Sequence, residues 1–317
     1  MARLTLVSPS SVKQAIHNEI TFQRTRRGSP PSVDSRPTFL EWLRLSWLDL
    51  LTLIAIGGVA AGFDAMWPPY HRLFPYSQDY ADIISSDIAY PLVDPTLSSL
   101  LAAVVCIGTP LVIFILAQLH LRHFWSLNNA IFGLLYANVG GTCFQVIIKT
   151  LIGGFRPHFL AACQPDFSRS GANKGPLGIY HDWTVCTGDQ DTILNALETF
   201  PSGHTEVAFA GFLYLSLWIN ANLKVVGGPY QPCFWKVVAL FTPLLAAVLM
   251  AGDLQMTYNH HWADVIMGAA IGSSFALVGY KSMFVSVFDA RTNDVVLHRR
   301  RTVLKSREDT MENGEIV

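Results

Sequence analysis

Charge is scarce in this chain. Only 14% of its 317 residues are Asp, Glu, Lys or Arg, against 51% apolar, and the mean hydropathy is +0.33. That balance argues against a soluble two-domain protein and for one that crosses a membrane several times. The net charge is −1, and the basic residues gather towards the two ends without an aromatic-interleaved patch, which excludes a nucleic-acid surface. No Lys or Arg lies between Lys236 and Lys281, and no Asn-x-Ser/Thr triplet occurs, so no N-glycan is expected. A cleavable signal peptide is also missing. Residues 1–44 are polar and broken by Pro30, Pro31 and Pro37, which predicts a disordered tail; a transit peptide is disfavoured by Glu19, Asp34 and Glu41. Metal-ligand spacing is absent, because His260 and His261 are adjacent with no second ligand pair at zinc spacing. Of the five cysteines, Cys106, Cys143 and Cys233 fall in or near apolar runs and read as inert small hydrophobes. Cys163 and Cys186 share one polar segment, where a disulfide can form if that segment faces an oxidising compartment.

What the chain does have is long apolar runs. Six are long enough to span a bilayer, at ~20 residues per ~30 Å of hydrocarbon: Leu48–Met66, Leu97–His120, Leu127–Thr150, Thr205–Leu223, Trp235–Leu254 and Trp262–Val285. The expected fold is therefore all-α and polytopic. A disordered tail (1–46) precedes a six-helix domain (47–285), and a polar tail (286–317) follows it. Arg24, Arg26, Arg27, Arg36 and Arg44 precede the first run. Arg122, Lys224 and Lys236 sit in short connections, and Arg291, Arg299, Arg300, Arg301, Lys305 and Arg307 follow the last run. The connections on the other side hold only Arg72, Arg156, Arg169 and Lys174, so the positive-inside tendency places both tails in the cytosol. Trp67-Pro68-Pro69-Tyr70 and Phe74-Pro75-Tyr76 read as an aromatic belt at the opposite interface. Asp49 and Asp64, in or beside the first run, suggest no role.

Three polar clusters stand at the ends of these runs. Phe200-Pro201-Ser202-Gly203-His204-Thr205 opens the fourth, where free N–H groups and the positive end of a helix dipole form an anion site. Lys149 and Arg156 close the third run, and His260 and Asp264 open the sixth. With the topology above, all three clusters reach one non-cytosolic face. Snorkelling accounts for a lone lysine at a helix end. It does not account for polar groups gathered from three helices, and such groups mark a functional site.

The clusters resemble the three signatures of the phosphatidic acid phosphatase type 2 superfamily, K-x6-RP, PSGH and SR-x5-H-x3-D. Lys149 to Arg156-Pro157 matches the first and Pro201-Ser202-Gly203-His204 the second. In the third, His260 and Asp264 fit, while the Ser-Arg pair falls on Asp253-Leu254. Arg156-Pro157-His158-Phe159-Leu160 followed by Cys163-Gln164-Pro165-Asp166 is similar to the eukaryotic lipid phosphate phosphatase and diacylglycerol pyrophosphatase branch. The resemblance spans roughly Trp47 to Lys281. It implies the helical core shared with vanadium haloperoxidases, which are soluble where this chain is not.

The resemblance further implies a metal-independent hydrolase without cofactor, acting on a lipid phosphate such as phosphatidate, diacylglycerol pyrophosphate or lysophosphatidate. His260 is the implied nucleophile, forming a phosphohistidine. Asp264 orients its ring, their i, i+4 spacing placing both on one helix face. His204 protonates the departing alkoxide. Lys149, Arg156, Ser202 and Gly203 hold the phosphate, Arg as a planar fork and Lys as a point charge. Leu254 cannot replace the arginine of the third signature, and one lost charge-assisted bond is worth ~1.5–3 kcal/mol, which predicts slow turnover; Gln255 and Tyr258 are the neighbouring donors. Two further readings use the same residues: an isoprenoid diphosphate phosphatase, and a weakened pseudophosphatase motivated by Leu254. The expected setting is an endomembrane or the plasma membrane, with a lumenal or extracellular active site. Membrane lipids are the expected surroundings, and the sequence names no protein partner.

Overall fold

The structure, a computed structural model, describes residues 37–66, 72–76, 86–175 and 177–297. The rest of the N-terminal tail, the Trp67–Tyr70 belt and the basic run Arg299–Arg301 lie outside the described residues. The chain divides into two compact units, Met1–Arg44 and Leu45–Val317. In the first, residues 37–44 open helix α1 (Phe39–Asp64), where the Thr38 N–H donates to the Glu41 carboxylate at 2.9 Å and the Glu41 N–H to the Thr38 hydroxyl at 3.4 Å, the capping box that starts a helix.

In the second unit α1 continues and is followed by strand β1 (Phe74–Pro75), α2 (Ser99–Leu121), α3 (Phe124–Ile152), the short α4 (Phe159–Cys163), β2 (Tyr180–His181), α5 (Gln190–Ala196), α6 (Gly203–Leu223), α7 (Phe234–Met256) and α8 (Trp262–Met283). The six expected spans correspond to α1, α2, α3, α6, α7 and α8. Five of these are long and apolar enough to cross a membrane; α6 is the exception by composition. Its 21 residues rise ~31 Å, long enough to cross. It is the innermost helix, packed against α2, α3, α7 and α8, so lipid does not demand a fully apolar surface of it. Intramembrane polar groups turn to the bundle interior, and Glu206 and Ser216 on α6 are buried. The outer helices show the converse: Ile54, Leu116, Leu249 and Ile266 are exposed apolar side chains, as contact with hydrocarbon requires. The protein is an integral membrane protein.

Close packing of α8 on α6 and α3 rests on glycine. A Cβ at Gly268 would lie 2.5 Å from the Ser202 carbonyl oxygen, one at Gly272 2.2 Å from that of Glu206, and one at Gly279 2.6 Å from that of Gly133. Small residues let helix backbones approach where the hydrophobic effect gives no drive. The contact sets the start of α8 beside the start of α6.

The described residues of 153–202, between α3 and α6, fold into a cap with its own core. Phe74, Phe159, Val185, Ile193, Ala196 and Leu197 are buried together there. The antiparallel pair β1 and β2 joins Phe74 opposite His181 and brings residues 74–76 into this core. Phe74 is fully buried edge-on to Phe159, and Tyr76 stacks on Phe167, which corrects their expected place in an interfacial aromatic belt. Their rings pack on Phe159 and Phe167 because the cap supplies an apolar interior, which their reading as interfacial anchors left out.

Cys163 and Cys186 form a disulfide across the cap, 23 residues apart. Closing a loop of that length restricts the unfolded chain and is worth ~3 kcal/mol. The Cys163→Ser/Cys186→Ser variant is expected to lose about that much stability in thermal unfolding of the purified protein. An unchanged midpoint would show that the cap core holds without its cross-link.

Candidate active site

The site begins where α6 begins. Ser202 is fully buried, and its hydroxyl accepts from the Thr205 N–H at 3.4 Å, capping the helix. Its own N–H donates to the Asp264 carbonyl at 3.1 Å, stitching the start of α6 to the first turn of α8. Gly203 leaves its Cβ position open towards the Gln145 amide, 3.3 Å away, and that amide is held by its 2.7 Å bond to the Pro201 carbonyl. His204 follows on the cavity wall, with Nε2 buried and without a hydrogen-bond partner among the described residues.

His260 sits in the turn between α7 and α8. The Leu254 carbonyl accepts from the N–H groups of both Asn259 (2.9 Å) and His260 (3.2 Å), and Tyr258 takes a left-handed φ of 56° that reverses the chain. The imidazole is 2% exposed. Its Nδ1 lies 3.3 Å from the Thr199 hydroxyl and 3.6 Å from Asp264 Oδ2, the latter beyond hydrogen-bond length. Thr199 stands between the two residues, donating to Asp264 Oδ2 at 2.5 Å, and the same oxygen accepts the His261 N–H at 2.8 Å. Burial pushes the His260 imidazole down to about 4, and the nearby Arg156 charge pushes the same way against the pull of Asp264. The ring is therefore neutral at neutral pH.

Arg156 is buried, and its fork is fixed by three bonds: Nε to the Asn195 carbonyl at 2.8 Å, Nη2 to Asn195 Oδ1 at 2.5 Å and Nη1 to Asn259 Oδ1 at 3.2 Å. Burial drags the guanidinium down to about 10, still cationic at neutral pH. Lys149 Nζ lies 3.1 Å from Glu198 and 3.9 Å from Asp64, which gives Asp64 a place near the site that the sequence did not suggest.

At the third signature, Asp253 accepts from the Thr96 N–H (3.0 Å) and hydroxyl (2.5 Å), holding the approach to α2, and Leu254 is 2% exposed. Tyr258 stacks on Tyr90 at 4.6 Å, and neither it nor Gln255 lines the cavity.

That cavity encloses about 480 Å³ between α1, α2, α3 and α6. Lys149, Arg156, Gly203, His204 and His260 meet on its wall, while Ser202 and Asp264 stand behind it. Below them the wall is mainly small, with Gly57, Ala60, Ala61, Ala102 and Ala103. Sequence reasoning missed Gln145, Asn195, Glu198, Thr199 and Asn259. The available signal was their nearness in the chain to a signature: Glu198 and Thr199 just precede Pro201, and Asn259 precedes His260. Among the described residues no group of three or more His, Cys, Asp or Glu is placed to share a metal ion.

Comparison with known proteins agrees with the signatures. The PAP2 superfamily profile matches residues 130–287. Lipid phosphate phosphatase 2 of Arabidopsis thaliana is 30% identical over 246 residues, 77% of this chain and 78% of its own length. Probable diacylglycerol pyrophosphate phosphatase 1 of Schizosaccharomyces pombe is 31% identical over 242 residues, 74% of this chain and 80% of its own. Diacylglycerol pyrophosphate phosphatase 1 of Saccharomyces cerevisiae is 35% identical over 171 residues, 53% and 56% of the two chains. No solved structure gives a significant match. With its helical core and a relative similar over more than three quarters of both lengths, the chain belongs to the PAP2 superfamily of phosphatidic acid phosphatase type 2 proteins.

Proposed function

We propose that the protein is an integral-membrane lipid phosphate phosphatase that works through a phosphohistidine on His260. The observation that carries this reading is the shared cavity: two cationic side chains and two histidines meet at one end of a largely apolar space between spanning helices. A phosphorylated headgroup fits the first environment and an acyl chain the second.

In the proposed mechanism Lys149, Arg156 and the N–H groups opening α6 take the phosphate oxygens and oppose the charge that builds during transfer. His260 Nδ1 faces Thr199 and Asp264, which leaves Nε2 to attack phosphorus. The new N–P bond forms as the P–O bond to the lipid breaks, and His204 delivers its proton to the departing oxygen. His204 then takes a proton from water as that water attacks phosphorus, releasing inorganic phosphate and restoring neutral His260. Thr199 acts as a positioning residue, setting the imidazole relative to Asp264. Fixed cations supply the charge a divalent metal would supply elsewhere, so activity is expected to persist in EDTA. The arginine absent at Leu254 leaves Arg156 and Lys149 as the cationic load-bearers for the phosphate.

The disulfide-linked cap covers the active-site end of the bundle, and disulfides persist in oxidising compartments. Together with the distribution of basic residues, this supports a lumenal or extracellular active site in an endomembrane or the plasma membrane, with both tails cytosolic.

Three outcomes test these statements. Purified protein in detergent micelles is expected to release inorganic phosphate from phosphatidate in the presence of EDTA, with inhibition by vanadate and loss to background in His260→Ala. Undiminished release by that variant would sink the mechanism. Cys233 is exposed and so is not the inert hydrophobe its position beside an apolar run suggested. In sealed cytosol-side-out vesicles an impermeant maleimide is expected to label it, whereas the cysteine of Lys174→Cys in the cap reacts only after permeabilisation; the reverse pattern would invert the topology. The third outcome concerns pH. His260 is held at about 4 when folded and returns to its ordinary 6.5 when unfolded, so between these values the unfolded chain binds the extra proton. Its contribution to stability is complete above pH 6.5 and is lost as pH falls towards 4, by ~3 kcal/mol. His158, also pushed down to about 4 by burial, adds to the slope in the same window, so unfolding of the native protein is expected to show at least the His260 share and His260→Gln a shallower slope.

A further inference from the structure

One side chain on the cavity wall takes no part in the chemistry above. Glu206 is 0% exposed on the first turn of α6, one turn beyond Gly203, which is a rise of ~4.5 Å. Its Oε2 accepts from the Thr142 hydroxyl at 3.2 Å, and its Oε1 is buried without a partner among the described residues. The space it fills was made by glycine, since a Cβ at Gly141 would lie 2.1 Å from Oε1. Asn138 repeats the pattern one turn before Thr142: it is 2% exposed, its Nδ2 donates to the Leu134 carbonyl at 2.9 Å, and its Oδ1 is buried and unpartnered. Asn138, Thr142, Gln145 and Lys149 are spaced 4, 3 and 4 apart, so they form one stripe down α3, and all four line the cavity.

A buried carbonyl or carboxyl oxygen left without a partner is unfavourable, and two of them in an otherwise small-residue wall call for an occupant. We propose that Glu206, Thr142 and Asn138 form a second polar subsite that reads a free hydroxyl on the lipid, carried two carbons beyond the phosphoester oxygen, and so favours hydroxyl-bearing lipid phosphates over fully esterified ones. This rests on the lipid phosphatase reading of the cavity. A hydroxyl donates its one hydrogen to Asn138 Oδ1, and its oxygen accepts from Glu206 when that carboxyl carries a proton on Oε1. An ester carbonyl has no hydrogen to give and leaves Asn138 open. The one-turn offset from Gly203 places the subsite where a substituent just below the phosphate would reach.

The test compares 1-oleoyl-glycerol 3-phosphate with its 2-deoxy analogue, which lacks only that hydroxyl. The native protein is expected to prefer the hydroxyl substrate at least tenfold in kcat/KM, because a site built for a hydroxyl rejects the analogue without it. Glu206→Leu is expected to bring the preference to within about twofold, with Glu206→Gln restoring part of it. The same pair as non-hydrolysable phosphonates, read by thermal stabilisation of the native protein, answers without turnover and without any variant having to fold. Turnover of both substrates with no preference overturns the subsite and keeps the enzyme. Preferential stabilisation without turnover keeps the subsite and overturns the enzymatic reading.

Discussion

Everything at this site depends on how closely the first turns of α6 and α8 approach each other. The Ser202 N–H reaches the Asp264 carbonyl, and Gly268 leaves room for the Ser202 carbonyl beside α8. Two stretches some sixty residues apart thereby become one surface, with His204 on one helix start and His260 just before the other. Widening the gap would move the proposed nucleophile and the proposed acid apart together, because each is fixed to its own backbone turn. Helix packing through small residues, usually discussed as a matter of stability, here sets the geometry on which the chemistry turns.

The apolar outer helices were legible in the sequence because a bilayer imposes a length and composition that few other environments demand. Helix α6 was legible as a run but is the least like a span, and the reason lies in its place: surrounded by other helices, it answers to them and not to lipid. The signature residues were legible because they cluster within short spacings, and Lys149, Arg156, Gly203, His204 and His260 do meet at one cavity. What spacing could not show are the residues that hold them. Thr199 reaches Asp264 across 65 positions and Arg156 reaches Asn259 across 103, and no local pattern announces either pair. The cap was illegible for a related reason. Its core forms only when β1 arrives from before α2 to pair with β2, so Phe74 and Tyr76 read alone as interfacial aromatics.

The replacement of the family's Ser-Arg pair by Asp253-Leu254 looks damaging in the sequence, since it sets an acid near the proposed phosphate site. The structure places that acid in a different context. Asp253 is occupied by the Thr96 N–H and hydroxyl, and so serves to anchor the approach to α2. Leu254 contributes its carbonyl, which accepts from Asn259 and His260 and shapes the turn that carries the histidine. Asn259 then gives its side-chain oxygen to Arg156, which is held on its other edge by Asn195. A guanidinium fixed by amide oxygens stays fully cationic towards a ligand, whereas one paired with a carboxylate would be half neutralised before the ligand arrives.

Lys149 is arranged differently, and the contrast bears on substrate binding. It faces Glu198 and Asp64, so at the proposed site an incoming phosphate competes with ion-paired carboxylates for that ammonium, whereas Asp264 and Glu198 act on Arg156 through their charge without an ion pair among the described residues. Arg156 therefore suits a constant anchor, and Lys149 a charge that redistributes between Glu198 and the phosphate as negative charge builds on the transferring group. Only interactions that strengthen in the transition state raise the rate of the chemical step. A lysine balanced by two acids is better suited to that part than a second fixed arginine would be, and it costs the empty site nothing in unpaired buried charge.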